Sequence, residues 1–129
     1  TEVIQLGVLD YKTLAEAYSV SDVFLSTSIE DAGPSMINQS IMCGTPVIAF
    51  NIGVANDLVI SKKTGYCAKH ENLDDLVYGL NYIYNLNDME KKTMSIECRN
   101  LALSEFSYRA FASNIENSFL NALEHYKDV

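Results

Sequence analysis

Apolar and polar residues alternate along this chain in two rhythms, and the rhythms take turns. Val3, Ile4 and Leu6 lie in a short run, Glu2–Gly7, that predicts a strand. Asp10 then stands where a helix N-cap is wanted, and Leu14, Ala17 and Tyr18 recur at helical spacing, predicting a helix from Tyr11 to about Ser19. Asp22–Ser26 predicts a second strand. Its run Val23-Phe24-Leu25 is apolar on both faces, as in a parallel strand covered on each side by helices. A helix is predicted from Pro34, with Met36, Ile37, Ser40 and Ile41 as its narrow apolar or small face. Gly44 suits its C′ position and Pro46 follows, so Val47–Phe50 reads as the third strand.

The rhythm continues to the end of the chain. Asn56-Asp57 opens a short helix to about Ile60, Lys62–Gly65 is a turn, and Tyr66–Ala68 a fourth strand. Asn72 caps a helix with Asp75 at its third position, buried through Leu73, Leu76, Val77, Leu80 and Ile83. Asn85–Asp88 interrupts, and a helix follows from about Glu90 to Ser104. Ser107 caps the last helix, with Phe111, Ile115, Phe119 and Leu123 at spacings of four. Strands that alternate with helices imply an α/β fold, a Rossmann-like parallel sheet flanked by helices. The expected division is a core over about 1–85 and C-terminal helices over about 90–127, within one domain spanning 1–129.

Charge narrows the function classes. The 129 residues carry 17 acids against 9 bases, a net charge of −8. A protein that grips nucleic acid by its phosphates shows a basic face, so no nucleic-acid partner is expected. Cys43, Cys67 and Cys98 form an odd, widely spaced set without a CxxC pair, which suits buried thiols in a reducing compartment. Thr1–Leu9 has no basic stretch and no long apolar run, so no secretory leader is expected there, and a cytoplasmic location follows as an expectation.

The chemistry concentrates where the second strand meets the helix after it. In open α/β sheets, ligands bind at the carboxyl ends of the strands. The loop Thr27–Ser35 lies at such an end, and a helix N-terminus there offers unpaired N–H groups and the positive end of a dipole, a natural seat for phosphate. Glu30 can accept hydrogen bonds from sugar hydroxyls. Equally, Glu30 and Asp31 can simply stabilise the helix start, worth ~0.3–1 kcal/mol each.

This stretch resembles the donor-binding domain of GT-B glycosyltransferases of the large retaining group called family 4. The resemblance rests on Asp22-Val23-Phe24-Leu25, Thr27-Ser28, Glu30-Asp31-Ala32-Gly33, Ile41-Met42-Cys43-Gly44-Thr45-Pro46-Val47 and Gly53-Val54-Ala55-Asn56-Asp57. Weaker likenesses are Val3–Tyr18, Thr64-Gly65, Asn72–Leu76 and Phe106-Ser107-Tyr108, so nearly the whole chain is covered.

The resemblance implies part of an enzyme that moves a sugar from a nucleoside diphosphate sugar to a hydroxyl acceptor, a glycan or lipid-linked glycan, as in polysaccharide biosynthesis. It implies Glu30 as the catalytic contact to the transferred sugar. It places Asp31, Ala32, Gly33, Pro34 and Ser35 along the sugar and diphosphate, and Gly7, Val8 and Leu9 against the base. Asn38 stands where the family has a second Glu on the ribose hydroxyls; it can still accept one hydrogen bond and donate another. Thr27, Asp31 and Val54 depart from the family's Pro, Gly and Gly.

The resemblance also implies a missing acceptor domain and two missing strands with a basic pair for the diphosphate. His70 and His125 match none of the family's functional positions. No cofactor and no metal are expected, and membrane association of the full-length enzyme is compatible. Two other readings are a non-catalytic nucleotide- or partner-binding module, and a doubly wound signalling domain. The second expects acids at the end of the first strand, whereas Glu30-Asp31 follow the second.

Overall fold

A computed structural model of the chain describes residues 2–31, 33 and 35–127. The elements run in the order α1 (Tyr11–Val20), β1 (Phe24–Ser26), α2 (Ser35–Met42), β2 (Val47–Phe50), α3 (Ala55–Leu58), β3 (Gly65–Ala68), α4 (Leu73–Tyr84), α5 (Asp88–Phe106) and α6 (Tyr108–Lys127). The sheet has three parallel strands in the order β1-β2-β3. Phe24 pairs with Val47 and Val47 with Gly65, so β2 is the central strand.

Every residue of β2 is buried, because helices cover both faces of the sheet. Val47 and Ala49 point into a cluster with Ile37, Ile41, Ala55, Leu58, Val59, Cys98 and Ala102. Ile48 and Phe50 point the other way, into Ala68, Leu76, Ile83 and Met94. One long helix, α5, serves both clusters through Met94, Cys98 and Ala102, which recur every four residues. Burial pushes the Cys98 thiol up to about 12, so it is a protonated packing group. The Arg99 guanidinium donates to the Met42 carbonyl at the end of α2, which ties α5 to α2 and neutralises a helix C-terminus. All three cysteines are free.

Local chemistry sets the ends of the helices. Asp10 accepts from the N–H groups of Lys12 and Thr13, both at 2.9 Å. Asn72 accepts from the Asp75 N–H at 3.0 Å. Asn87 and Glu90 form a reciprocal capping box at 3.0 and 2.9 Å, so α5 begins at Asp88, inside the stretch expected to be an interruption.

Four sequence expectations are corrected. Glu2–Gly7 forms no strand: Val3 and Ile4 are 89% and 72% exposed and pair with no strand among the described residues. An apolar run becomes a strand only where a partner edge satisfies its backbone. Met36 is half exposed while Ile37, Ser40 and Ile41 are buried, because Met36 lies in the first turn of α2, at the edge of the sheet. Of the five residues read as the buried stripe of α4, Leu76 and Ile83 are buried and Leu80 half-buried, but Leu73 and Val77 are exposed, because they lie on the side of α4 away from the sheet. The face of α6 bearing Phe111, Ile115, Phe119 and Leu123 is exposed along its length. That helix packs on α5 alone among the larger contacts of the fold.

The amino edge of the sheet is laced by buried hydroxyls. Ser40 Oγ donates to the Thr45 carbonyl at 3.0 Å, and Thr45 Oγ1 to the Tyr18 carbonyl at 2.6 Å. Thr64 Oγ1 donates to the Leu58 carbonyl at 2.6 Å and accepts from the Ile60 N–H at 2.8 Å. Beside it, Gly65 has φ +150°, and a Cβ there would lie 1.8 Å from the Val47 carbonyl oxygen. Only glycine lets β3 start so close to β2.

Candidate functional site

Parallel strands place every strand-to-helix loop at one edge. Here that carboxyl edge carries Thr27–Asp31 and Gly33 after β1, Asn51–Val54 after β2 and Lys69–Asn72 after β3. The sequence reading put the site in the first of these loops, and α2 does begin there, at Ser35. α1 packs on α2. Its last turn is tied to Thr45 at the amino edge. Gly7–Leu9 lie ahead of its first turn.

Glu30, Asp31, Gly33 and Ser35 are all exposed. Asp31 Oδ1 accepts from the Gly33 N–H at 3.0 Å, a tight local turn that orients the loop into α2. Ala32 and Pro34 lie outside the described residues. Val8 is fully exposed and Leu9 half-buried, and Gly7 has φ +68°. The edge is open surface, with acceptors on the loop and the N-terminal end of an eight-residue helix behind them.

Asn38 lies in the first turns of α2 and is half-buried. Its Oδ1 is shielded from solvent and has no hydrogen-bond partner among the described residues. An amide oxygen in that condition costs about 1–3 kcal/mol relative to a bonded one.

One element of this edge was not foreseen. Asp75 sits at the third position of α4, and its Oδ2 accepts from the Lys69 N–H at 2.8 Å while Oδ1 accepts from the Tyr66 hydroxyl at 2.8 Å. These bonds, the Lys69 N–H first, hold its carboxyl below the usual carboxylate range. The same hydrogen bond, with some burial, pushes the Tyr66 phenol up to about 12. Asp75 therefore clamps the loop after β3 to the strand before it and the helix after it. The Asn72-x-x-Asp75 spacing was visible in the sequence; the reach to Tyr66 was not.

Among the described residues, no three His, Cys, Asp or Glu side chains are grouped to hold a metal ion, and no helix is long and apolar enough to cross a membrane.

Comparison with known proteins agrees with the geometry. No curated protein sequence matches the chain. Among solved structures it is similar to sucrose-phosphate synthase (tll1590) from Thermosynechococcus elongatus, with a TM-score of 0.78 at 22% identity. That match covers 93% of this chain and 30% of the synthase, so the chain spans about a third of the structure it matches. The likeness gives the fold: an α/β domain of the GT-B glycosyltransferase kind. The model of one family, glycosyl transferases group 1, matches residues 1–97, three quarters of the chain, and the chain belongs to that family.

Proposed function

We propose that this chain is the C-terminal part of the nucleotide-sugar-binding domain of a retaining, family 4-like glycosyltransferase. The reaction is transfer of a hexose-like unit from a nucleoside diphosphate sugar to a hydroxyl of a glycan or lipid-linked glycan. The observation that carries this reading is the junction of β1, the Glu30 loop and α2 at the carboxyl edge of a parallel sheet, in a chain of this family.

In this reading the start of α2 faces the diphosphate. Its unpaired N–H groups and dipole stabilise the negative charge that grows as the sugar bond breaks. Asp31, Ala32, Gly33, Pro34 and Ser35 line the sugar and diphosphate, and the Asp31–Gly33 hydrogen bond fixes the loop for them. Glu30 is exposed at that loop and accepts from sugar hydroxyls, holding the anomeric carbon in line with the acceptor. Asn38, half-buried in α2, turns its amide to a ribose hydroxyl when the donor binds, and Gly7, Val8 and Leu9 lie against the base.

No metal takes part in this scheme. The domain that binds the acceptor and the cations that balance the diphosphate come from the rest of the protein, so the chain alone binds donors weakly and does not turn over.

Glu30→Gln in the full-length protein is the test. It should lower kcat/KM by about tenfold to a thousandfold, ~1.4–4 kcal/mol, the scale of an interaction made mainly in the transition state. Calorimetric affinity for the bare nucleoside diphosphate should hold. Equal losses in nucleotide affinity and turnover would show that Glu30 does not face the sugar. Loss of neither would show that Glu30 takes no part in holding the sugar, and a full-length parent that binds nucleotide without turnover would be a nucleotide- or partner-binding module.

A further inference from the structure

The loop after β1 carries two acids and no base. Glu30 and Asp31 are adjacent and both exposed at the carboxyl edge. The helix that follows them, α2, has no charged residue from Ser35 to Met42. Residues 13–61 hold Glu16, Asp22, Glu30, Asp31 and Asp57, and no Lys, Arg or His. Two of the three strand-to-helix loops at this edge, after β1 and after β2, fall inside that stretch. Lys69 and His70 belong to the third loop, beyond β3, which stands two strands from β1. Both have acids of their own there. The Lys69 charge acts on Asp75, and His70 Nε2 lies 3.6 Å from Glu71 Oε1.

Asp31 is held in place. Its Oδ1 accepts from the Gly33 N–H at 3.0 Å, which closes a turn of the loop. The carboxylate is therefore a fixed negative charge beside the place where the sugar is proposed to lie. The same bond occupies a backbone N–H just ahead of α2, of the kind that an incoming anion would otherwise use.

This chemistry separates two kinds of sugar. Proteins hold a sugar carboxylate with a cation, best of all the planar fork of Arg, which matches it with two parallel hydrogen bonds. The loop after β1 offers the reverse. A carboxylate about 4 Å from one of these acids is repelled by a factor of about five even in bulk water, and by more where solvent is excluded. Neutral hydroxyls, in contrast, donate to carboxylates.

We infer that Asp31 is a specificity-determining residue, which makes the site select donors with an uncharged hexose and reject the corresponding uronate. The inference deepens the glycosyl-transfer reading and rests on it.

The full-length protein is titrated by calorimetry with two matched pairs: uridine diphosphate glucose with uridine diphosphate glucuronate, and guanosine diphosphate mannose with guanosine diphosphate mannuronate. The parent should bind the hexose member of its preferred pair at least about tenfold more tightly at low salt. That preference should shrink at about 0.5 M salt, where charges a few ångströms apart are screened, whereas a preference set by shape would not move. Asp31→Asn keeps an oxygen for the Gly33 N–H and removes the charge, so the preference should fall about fivefold. Asp31→Glu, which keeps the charge, should retain it. Taking the ratio within a pair separates selectivity from any general loss of donor binding. Equal binding of both members by the parent overturns the inference, as does a preference that neither salt nor Asp31→Asn alters. Either result alongside the expected loss of turnover in Glu30→Gln would sink this inference and leave the donor reading standing. A protein that binds no member of either pair overturns both.

Discussion

The two edges of the same sheet are built on opposite plans. At the amino edge, Ser40, Thr45 and Thr64 are buried, and each hydroxyl is spent on a backbone carbonyl. At the carboxyl edge after β1, residues 27–31, 33 and 35 are exposed, and the one side-chain hydrogen bond described within them is from Gly33 to Asp31. Both carry polar groups, so polarity alone does not distinguish them. What differs is whether the protein itself satisfies those groups. The amino edge is closed on itself and holds the strands in register. The carboxyl edge keeps its acceptors and helix N–H groups for something else. Between the two plans stands the loop after β3, at the carboxyl edge but clamped by Asp75.

Substitutions can break this contrast, and the largest effect is expected at Gly65. Gly65→Ala drives a Cβ into the Val47 carbonyl, backbone against backbone, so β3 cannot pair. A loss above about 4 kcal/mol is expected, enough to leave the domain unfolded in near-UV circular dichroism. A folded Gly65→Ala variant would mean the amino edge is far more pliable than its packing indicates.

Next comes Thr64→Val, nearly isosteric but without the hydroxyl. The Ile60 N–H and the Leu58 carbonyl lose their partner in a buried site, at about 1–3 kcal/mol by urea unfolding.

A smaller, pH-dependent effect is expected at Tyr66. Its proton is held more tightly in the folded state, with the phenol at about 12 against an ordinary 10.0. Its contribution is complete below pH 10 and lost as pH rises toward 12. Asp75 works the other way: its contribution is present above pH 3.8 and lost as pH falls below that value. Tyr66→Phe should therefore flatten the alkaline fall in the urea midpoint. It should leave part of the acid fall in place, because the Lys69 N–H still holds Asp75. Parallel alkaline curves for parent and variant would rule out the clamp.

The smallest expected effect on stability is that of Glu30→Gln, within about 0.5 kcal/mol, since the side chain is exposed. If it destabilises the fold as much as Thr64→Val, the carboxyl edge is not held in reserve.

Much of this was legible in the residues. Val47–Phe50 is a strand with the expected bounds, because a fully apolar run between Pro46 and Asn51 has no other good use. Asp10 and Asn72 cap the helices they were read to cap, since capping is a contact between near neighbours. The break was read as Asn85–Asp88 and ends one residue sooner, at Asn87, which with Glu90 three residues on forms a capping box. Asparagine marks turns and helix starts alike, and the partner decides which. The expected strand at Glu2–Gly7 failed for a different reason: an apolar pattern does not reveal whether a strand edge is available. In the site, the loop and its helix were readable. The orphaned Oδ1 of Asn38 and the reach of Tyr66 to Asp75 were not, because both depend on how one element packs against another.

The central place of β2 has a consequence for how the molecule breathes. Both ladders are parallel, joining Phe24 to Val47 and Val47 to Gly65, so neither closes through a tight hairpin. Each requires a long loop to come together first, and both draw on β2, the first through Val47–Ala49 and the second through Val47–Phe50. Neither ladder can open without releasing β2, whereas α6 can fray with its outer face already in water. Amide hydrogens of Ile48–Phe50 should therefore exchange with solvent at the rate of whole-domain unfolding, the slowest in the chain. Those of α6 should exchange orders of magnitude sooner, through local opening.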